Sequence, residues 1–323
     1  MRDAMRNAAA FAIALLISVP ALAQRPSDPA LLVPQDAPAL DYVAVADPLK
    51  FPEGTTIGPS ASVAFDSKGH LWVLNRGPQP IAEFDGDGKF IRAFGDGLMT
   101  RSHGLRIDGD GNLWVTDVGA HVVMKLDTTG KVLMTIGTKG QAGTWDEAAG
   151  MHLLNEPNDI AIARDGNLFI VQGHTPGPRG DPRVLEFDKN GKFIKSWGGK
   201  GKEPGKFEVA HGIAIDGKGL LWVADRENQR IQVFDADGTF VREMKYAGLP
   251  CGFAIAGPYV YMVNGFAGQV LRLDADGKVL AAIGKAGNGV GEFGEAHFVA
   301  VSPKGDVYVA DSVNRAVQKF VKK

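Results

Sequence analysis

Apolar and polar residues alternate along most of the chain in short runs, and each run ends in a turn rich in Gly, Asp or Asn. Such alternation predicts strands with one buried face. The dipeptides Asp87-Gly88, Asp110-Gly111, Asp165-Gly166, Asn190-Gly191, Asp237-Gly238 and Asp276-Gly277 predict hairpin turns. Glycine there supplies the positive φ that such turns require. The pattern also repeats. His103-Gly104-Leu105-Arg106-Ile107-Asp108, followed by Leu113-Trp114-Val115-Thr116-Asp117, returns as His211-Gly212-Ile213-Ala214-Ile215-Asp216 followed by Leu221-Trp222-Val223-Ala224-Asp225. The second half of each unit repeats likewise, Glu186 to Ile194 matching Val233 to Val241.

Two hairpins per unit make a four-stranded antiparallel blade. A blade cannot bury both faces alone, so blades stack radially. Six units are countable, with inner strands starting near Ala61, His103, Asn158, His211, Cys251 and His297. The sixth unit ends with three strands, near Phe320. A spare strand over residues 41–47 (Tyr42, Val43 and Val45) supplies the fourth and closes the ring, which removes an exposed edge. The expected fold is all-β: a six-bladed β-propeller over residues 41–323.

The N-terminus differs from the rest. Arg2 and Arg6 precede an apolar run from Ala8 to Val19, which is too short to span a bilayer comfortably. Ala21-Leu22-Ala23 then offers a small-x-small cleavage site before Gln24-Arg25. Residues 1–23 therefore read as a signal peptide, with an N-terminal anchor as the alternative. The mature chain is expected to be exported, periplasmic or secreted, without membrane attachment. Residues 24–40 are Pro- and Ala-rich, an unstructured or wrapping lead-in. The 323 residues hold 35 Lys and Arg against 37 Asp and Glu, a net charge of -2, which argues against a nucleic-acid partner. Cys251 is the single cysteine, so no intrachain disulfide forms and the core alone must hold the fold. A monomer is expected.

Chemistry enters with the seven histidines. His103, His211 and His297 fall in one register, in blades two, four and six. Alternate blades of such a ring lie about 120° apart. Three imidazoles can then converge on one ion and leave a position open, the arrangement of a catalytic zinc. The structural alternative is a register that merely tolerates polar residues. Arg76 and Arg226 share a register at the end of the neighbouring strand in blades one and four, on the same face as the histidines. A guanidinium pair there suits a substrate carboxylate, peptide or small molecule; the alternative is inter-blade hydrogen bonding. His174 lies in an insertion, Gly173 to Arg183, that starts on that face. A second insertion, Gly140 to Glu156, is placed at the rim or as a lid. His70, His121 and His152 read as solvated, and Cys251 as a small buried residue.

The phrase Ala224-Asp225-Arg226-Glu227-Asn228-Gln229-Arg230-Ile231 resembles NHL-repeat propellers. With His103 to Val118 and His211 to Asn228, the chain resembles peptidyl-α-hydroxyglycine α-amidating lyase over most of its mature length. That resemblance implies zinc held by His103, His211 and His297, active-site arginines at Arg76 and Arg226, and cleavage of an α-hydroxyglycine hemiaminal to an amide and glyoxylate. Two departures follow from it. The family's blade-three tyrosine is absent, and His174 is the nearest substitute as base. The family's acidic residue after the third histidine is Phe298 here, which argues against its structural calcium, although Leu105 keeps the place of a carbonyl ligand. Two other functions compete: a lactonase-type propeller hydrolase, whose usual carboxylate and Asn ligands the three histidines disfavour, and a non-catalytic NHL-type binding protein.

Overall fold

The computed structural model describes residues 26–55 and 57–323. The signal-peptide expectation for residues 1–23 lies outside the described residues. Six four-stranded antiparallel sheets form the blades of a closed ring. Each runs in chain order from an inner strand outward. Blade two, for example, is Ser102–Ile107, Leu113–Asp117, Val122–Leu126 and Val132–Ile136. Blade six is the exception. Its strands Ala296–Val301, Val307–Asp311 and Ala316–Lys322 are completed by Tyr42–Val45, which pairs with Ala316–Lys322. The spare N-terminal strand thus closes the propeller.

The ring is held by six apolar clusters, one at each junction between blades. Between blades one and two, Trp72, Leu74 and Ile81 pack on Leu105, Leu113 and Val115. Trp72, Trp114 and Trp222 are among the largest fully buried side chains. Each removes on the order of 200 Å² from water, roughly 5 kcal/mol before the entropy of ordering. A buried indole needs a partner for its N–H. Trp72 donates to Asp66, Trp114 to Asp108 and Trp222 to Asp216, each at 3.1 Å. The other oxygen of each carboxylate accepts from turn N–H groups, such as those of Asp110 and Asn112 in blade two. One Asp at the end of the inner strand therefore fixes both the hairpin and the tryptophan behind it.

Every inner strand carries an irregularity in its pairing with the second strand, at the same place in all six blades. The register shifts between Ser60 and Ser62, Ser102 and Leu105, Pro157 and Asp159, Ala210 and Gly212, Pro250 and Phe253, and Ala296 and Phe298. The extra residues at these bulges include Ala61, His103, Asn158, His211, Cys251 and His297. A bulge leaves its residue out of the ladder and re-aims the side chain. The aligned positions are thus released from pairing and turned toward the channel.

The lead-in wraps the mouth of the ring. Pro29–Leu32 forms one turn of 3-10 helix, with Asp28 accepting from the N–H of Ala30 at 2.9 Å. Gln35 bridges blade five, its N–H donating to Gln269 at 2.8 Å while its side-chain oxygen accepts from Ala247 at 3.0 Å. No helix among the described residues is long and apolar enough to cross a membrane.

Candidate metal centre

The bulges build the site by a blade-to-blade relay. His103 Nδ1 lies 2.7 Å from the carbonyl of Asn158, His211 Nδ1 3.2 Å from that of Cys251, and His297 Nδ1 2.6 Å from that of Ala61. Each histidine thus leans on the bulge carbonyl of the next blade, a carbonyl the sheet leaves free. A carbonyl can only accept, so each Nδ1 carries the proton and each Nε2 carries a lone pair. That is the tautomer and the outer-shell bond of a metal-ligating histidine. The glycine after each of two histidines is required by the approach. A Cβ on Gly212 would lie 2.1 Å from the Cys251 carbonyl oxygen, and one on Gly104 2.8 Å from that of Asn158.

The rings converge. Ring centroids of His103 lie 4.7 Å from His211 and 4.6 Å from His297, and His211 lies 5.2 Å from His297. All three side chains are buried. His103 Nε2 and His211 Nε2 have no hydrogen-bond partner among the described residues. Orphaned buried acceptors are costly, and two of them aimed into one small space fit a bound cation. Burial, followed by the neighbouring imidazoles, holds His103 well below the usual histidine range; burial and the Arg226 charge do the same to His211. For His297 the causes are burial and Arg76. The three imidazoles are therefore neutral, as ligation requires.

His174 joins them. Its ring lies 4.8 Å from His103 and 5.7 Å from His211, and ring nitrogens of these three residues all come within 4.8 Å of one another. The insertion is pinned in place by Glu156, which accepts from the N–H of Thr175 at 2.7 Å and from its hydroxyl at 2.9 Å. His174 is less buried than the other three, and its pKa is pushed well down, by burial first and then by Arg226 and Arg101.

Above the imidazoles lies a cavity of about 360 Å³. Arg76, Arg226, His174 and His297 line it, and Ser27, Asp28 and Leu31 of the lead-in border it. The two arginines are seated identically. The N–H of Arg76 donates to the carbonyl of Pro59 at 2.9 Å, and that of Arg226 to Val209 at 3.0 Å. Their side chains differ. Arg226 holds Glu227 through Nε at 2.8 Å and Nη2 at 2.7 Å, whereas Arg76 Nε donates to the Ser102 carbonyl at 3.2 Å. The cavity also holds Arg101 and Glu295, which sequence reasoning missed. Each stands two residues before a site histidine, in the register otherwise filled by Pro59, Glu156, Val209 and Leu249. Charge at three of these six positions, Arg101, Glu156 and Glu295, was the available signal. Glu295 is buried with its carboxylate bonded to the Ser312 hydroxyl, and burial raises its pKa.

Beneath the imidazoles the channel is plugged. Arg106 donates through Nη1 to the Leu105 carbonyl at 2.9 Å and through Nη2 to Asp159 at 2.5 Å. Its guanidinium faces the Phe298 ring at 5.3 Å, and that ring in turn packs 5.0 Å from His297. The Leu105 carbonyl is thus occupied by the chain's own cation, and the residues here do not fit a calcium ion.

The remaining readings divide. Cys251 is buried, with its thiol pushed up to about 12 by burial, and serves through its carbonyl. His70 and His121 are partly exposed, and each also has a fixed partner that the solvated reading did not foresee. His70 Nδ1 meets buried Glu83 at 2.8 Å, and His121 Nδ1 accepts from the N–H of Glu156 at 3.1 Å. Both rings are short enough in reach to fill a backbone or carboxylate need that the turn pattern does not reveal. His152 is exposed and stacks on Trp145 at 4.9 Å. The Gly140 to Glu156 insertion supplies no residue lining the cavity and acts through Glu156.

Comparison with known proteins agrees with this architecture. The NHL repeat family matches residues 207–234 and 293–320. Peptidyl-glycine alpha-amidating monooxygenase A of Xenopus laevis is 32% identical over 185 residues, 51% of this chain and 19% of that protein. A "probable peptidyl-alpha-hydroxyglycine alpha-amidating lyase" of Caenorhabditis elegans is 36% identical over 194 residues, 54% of this chain and 52% of that protein. NHL repeat-containing protein 3 of Homo sapiens is 30% identical over 212 residues, 58% of this chain and 55% of that protein. The matches thus span about a fifth of the monooxygenase, at 19%, and about half of the other two, at 52% and 55%. Among solved structures, a gluconolactonase of Xanthomonas campestris superposes with a TM-score of 0.62 at 17% identity, over 88% of this chain and 99% of that one. A streptogramin B lyase gives 0.59 at 15%, over 87% and 97%. These two share the fold. The chain is a six-bladed propeller with NHL repeats and amidating-lyase homologues.

Proposed function

We propose that this chain is an exported, metal-dependent lyase that cleaves an α-hydroxyglycine-type hemiaminal to an amide and glyoxylate. The observation that carries the reading is the set of buried, neutral imidazoles whose Nδ1 atoms are tied to carbonyls while the Nε2 atoms of His103 and His211 lack partners. The lyase relatives give the reaction class its support.

His103, His211 and His297 would hold the metal, with zinc favoured by three neutral nitrogen donors. When bound, zinc supplies Lewis-acid polarisation of the substrate hydroxyl or carboxylate. The chain's own groups do the rest. Arg76 and Arg226 receive the substrate carboxylate and orient the hydroxyl-bearing carbon. Arg226 is kept rigid by Glu227, so its remaining N–H edge faces the cavity at little entropic cost. His174, partly buried and with its pKa pushed down by that burial and by Arg226 and Arg101, accepts the hydroxyl proton. The oxygen's electron pair forms the new carbonyl, the carbon–nitrogen bond breaks, and the amide nitrogen takes a proton. The products are the amide and glyoxylate. The lead-in and the small cavity limit water at the reacting carbon.

The test is glyoxylate release from α-hydroxyhippurate by the purified chain, with and without added zinc. Zinc-dependent release supports the reading. A folded, zinc-loaded chain that releases no glyoxylate overturns the lyase assignment.

A further inference from the structure

Three arginines enter one cavity, and only one of them has an anionic partner. Arg226 is paired with Glu227. Neither Arg76 nor Arg101 makes an ion pair among the described residues, and the Nε of Arg101 is buried without any hydrogen-bond partner. Two such guanidiniums disfavour each other: burial and the Arg101 charge press the pKa of Arg76 down to about 10. Glu295 lies in the same cavity, yet its carboxylate is bonded to Ser312 and reaches no arginine within ion-pair distance. Half-buried cations that lack an acidic partner in a concave site are the counterpart of an anion brought by the ligand. One substrate carboxylate accounts for Arg76 with Arg226. Arg101 is left over.

We propose that the substrate is a small dianion, a hemiaminal whose acyl side carries a second carboxylate, and that Arg101 is the specificity-determining residue that receives it. The inference rests on the lyase reading for the reaction and on the cavity for the charge. The volume of about 360 Å³ and the bordering residues Ser27, Asp28 and Leu31 favour a compact acyl group over a peptide chain. Arg101 follows a short turn and precedes His103 by two residues, so the second carboxylate would sit beside the reacting carbon.

The test uses a matched pair of unreactive ligands, N-succinylglycine and its terminal amide, which differ in one carboxylate. Calorimetric binding to the full, zinc-supplemented chain is expected to favour the dicarboxylate by about tenfold or more, the worth of one charge-assisted hydrogen-bonded pair. Arg101→Ala should reduce that ratio to near unity, and Arg101→Lys should keep part of it. Glyoxylate release from the corresponding α-hydroxylated pair is then measured. A binding preference without release leaves the dianion site standing and removes the lyase reading. Release without preference leaves the lyase and removes this proposal. Equal binding of the two ligands, no binding of either, or a preference untouched in both Arg101 variants would overturn the assignment.

Discussion

Replacing Arg106 by methionine tests how the channel is held closed beneath the imidazoles. The substitution keeps most of the apolar stem and removes the charge. Asp159 is fully buried, and among the described residues Arg106 is its one ion-pair partner, at 2.5 Å; the carboxylate also accepts from the N–H groups of Ile213 at 3.0 Å and Ile160 at 2.9 Å. Removing one partner of a buried pair costs about 3–5 kcal/mol, because the other charge is left uncompensated. The contact of the guanidinium with the Phe298 ring adds about 1 kcal/mol. At about 2–4 °C per kcal/mol, the melting temperature should fall by roughly 10 °C near neutral pH. The pH dependence identifies the cause. Burial already raises the Asp159 pKa to about 6 against the pull of Arg106. A carboxylate whose folded pKa lies above its unfolded one costs stability as pH rises from the unfolded value through the folded one. Without Arg106 that folded value climbs further, so the deficit of Arg106→Met should be largest near pH 8 and shrink toward pH 5, where Asp159 is protonated in both proteins. Adding Asp159→Asn should recover part of the loss. The assay is thermal melting of the single and double variants across that range. An equal deficit at both pH values, or a double variant no more stable than the single, refutes the reasoning.

Gly212→Ala places a Cβ 2.1 Å from the Cys251 carbonyl oxygen and should cost about 2 kcal/mol in melting while weakening zinc retention; Gly109→Ala, where nothing lies within 4 Å, serves as the neutral control. His174→Ala should lower turnover by about 10²-fold or more with zinc retained, as for loss of a general base; loss of zinc with turnover would instead make His174 a ligand. A chain starting at Pro48 lacks the strand Tyr42–Val45 that closes blade six, and should melt lower and self-associate through the exposed edge, read by light scattering. A truncated chain of unchanged stability and unchanged association state would contradict the closure.

Much of the architecture was legible because it is periodic. Strand alternation, Asp-Gly turns and the repeated Asp–Trp pair are local signals, and they place all six inner strands within a residue or two. The closing strand was legible from arithmetic, since blade six lacked a member. The site was legible only in part. The register shared by His103, His211 and His297 locates a common height in the channel, but nothing in the alternation announces the bulge there. That bulge frees the carbonyls of Ala61, Asn158 and Cys251 to orient the imidazoles. Arg101 and Glu295 escaped notice because they lie just before the strands, where charge is ordinarily solvated. Arg106 escaped because an inner-strand arginine reads as a surface residue until the buried Asp159 of the next blade is seen beside it. His70 and His121 show the converse: turn positions whose partners, Glu83 and the N–H of Glu156, are distant in sequence.

The central claim is that the imidazoles of alternate blades hold a metal ion. Its most direct test is the zinc content and affinity of the purified chain beside His103→Ala and His211→Ala, measured by equilibrium dialysis with elemental analysis. The account predicts about one tightly held zinc per chain, lost in both variants while their melting in chelator stays cooperative. A chain that retains no zinc, or variants that retain it as well as the parent, would contradict it.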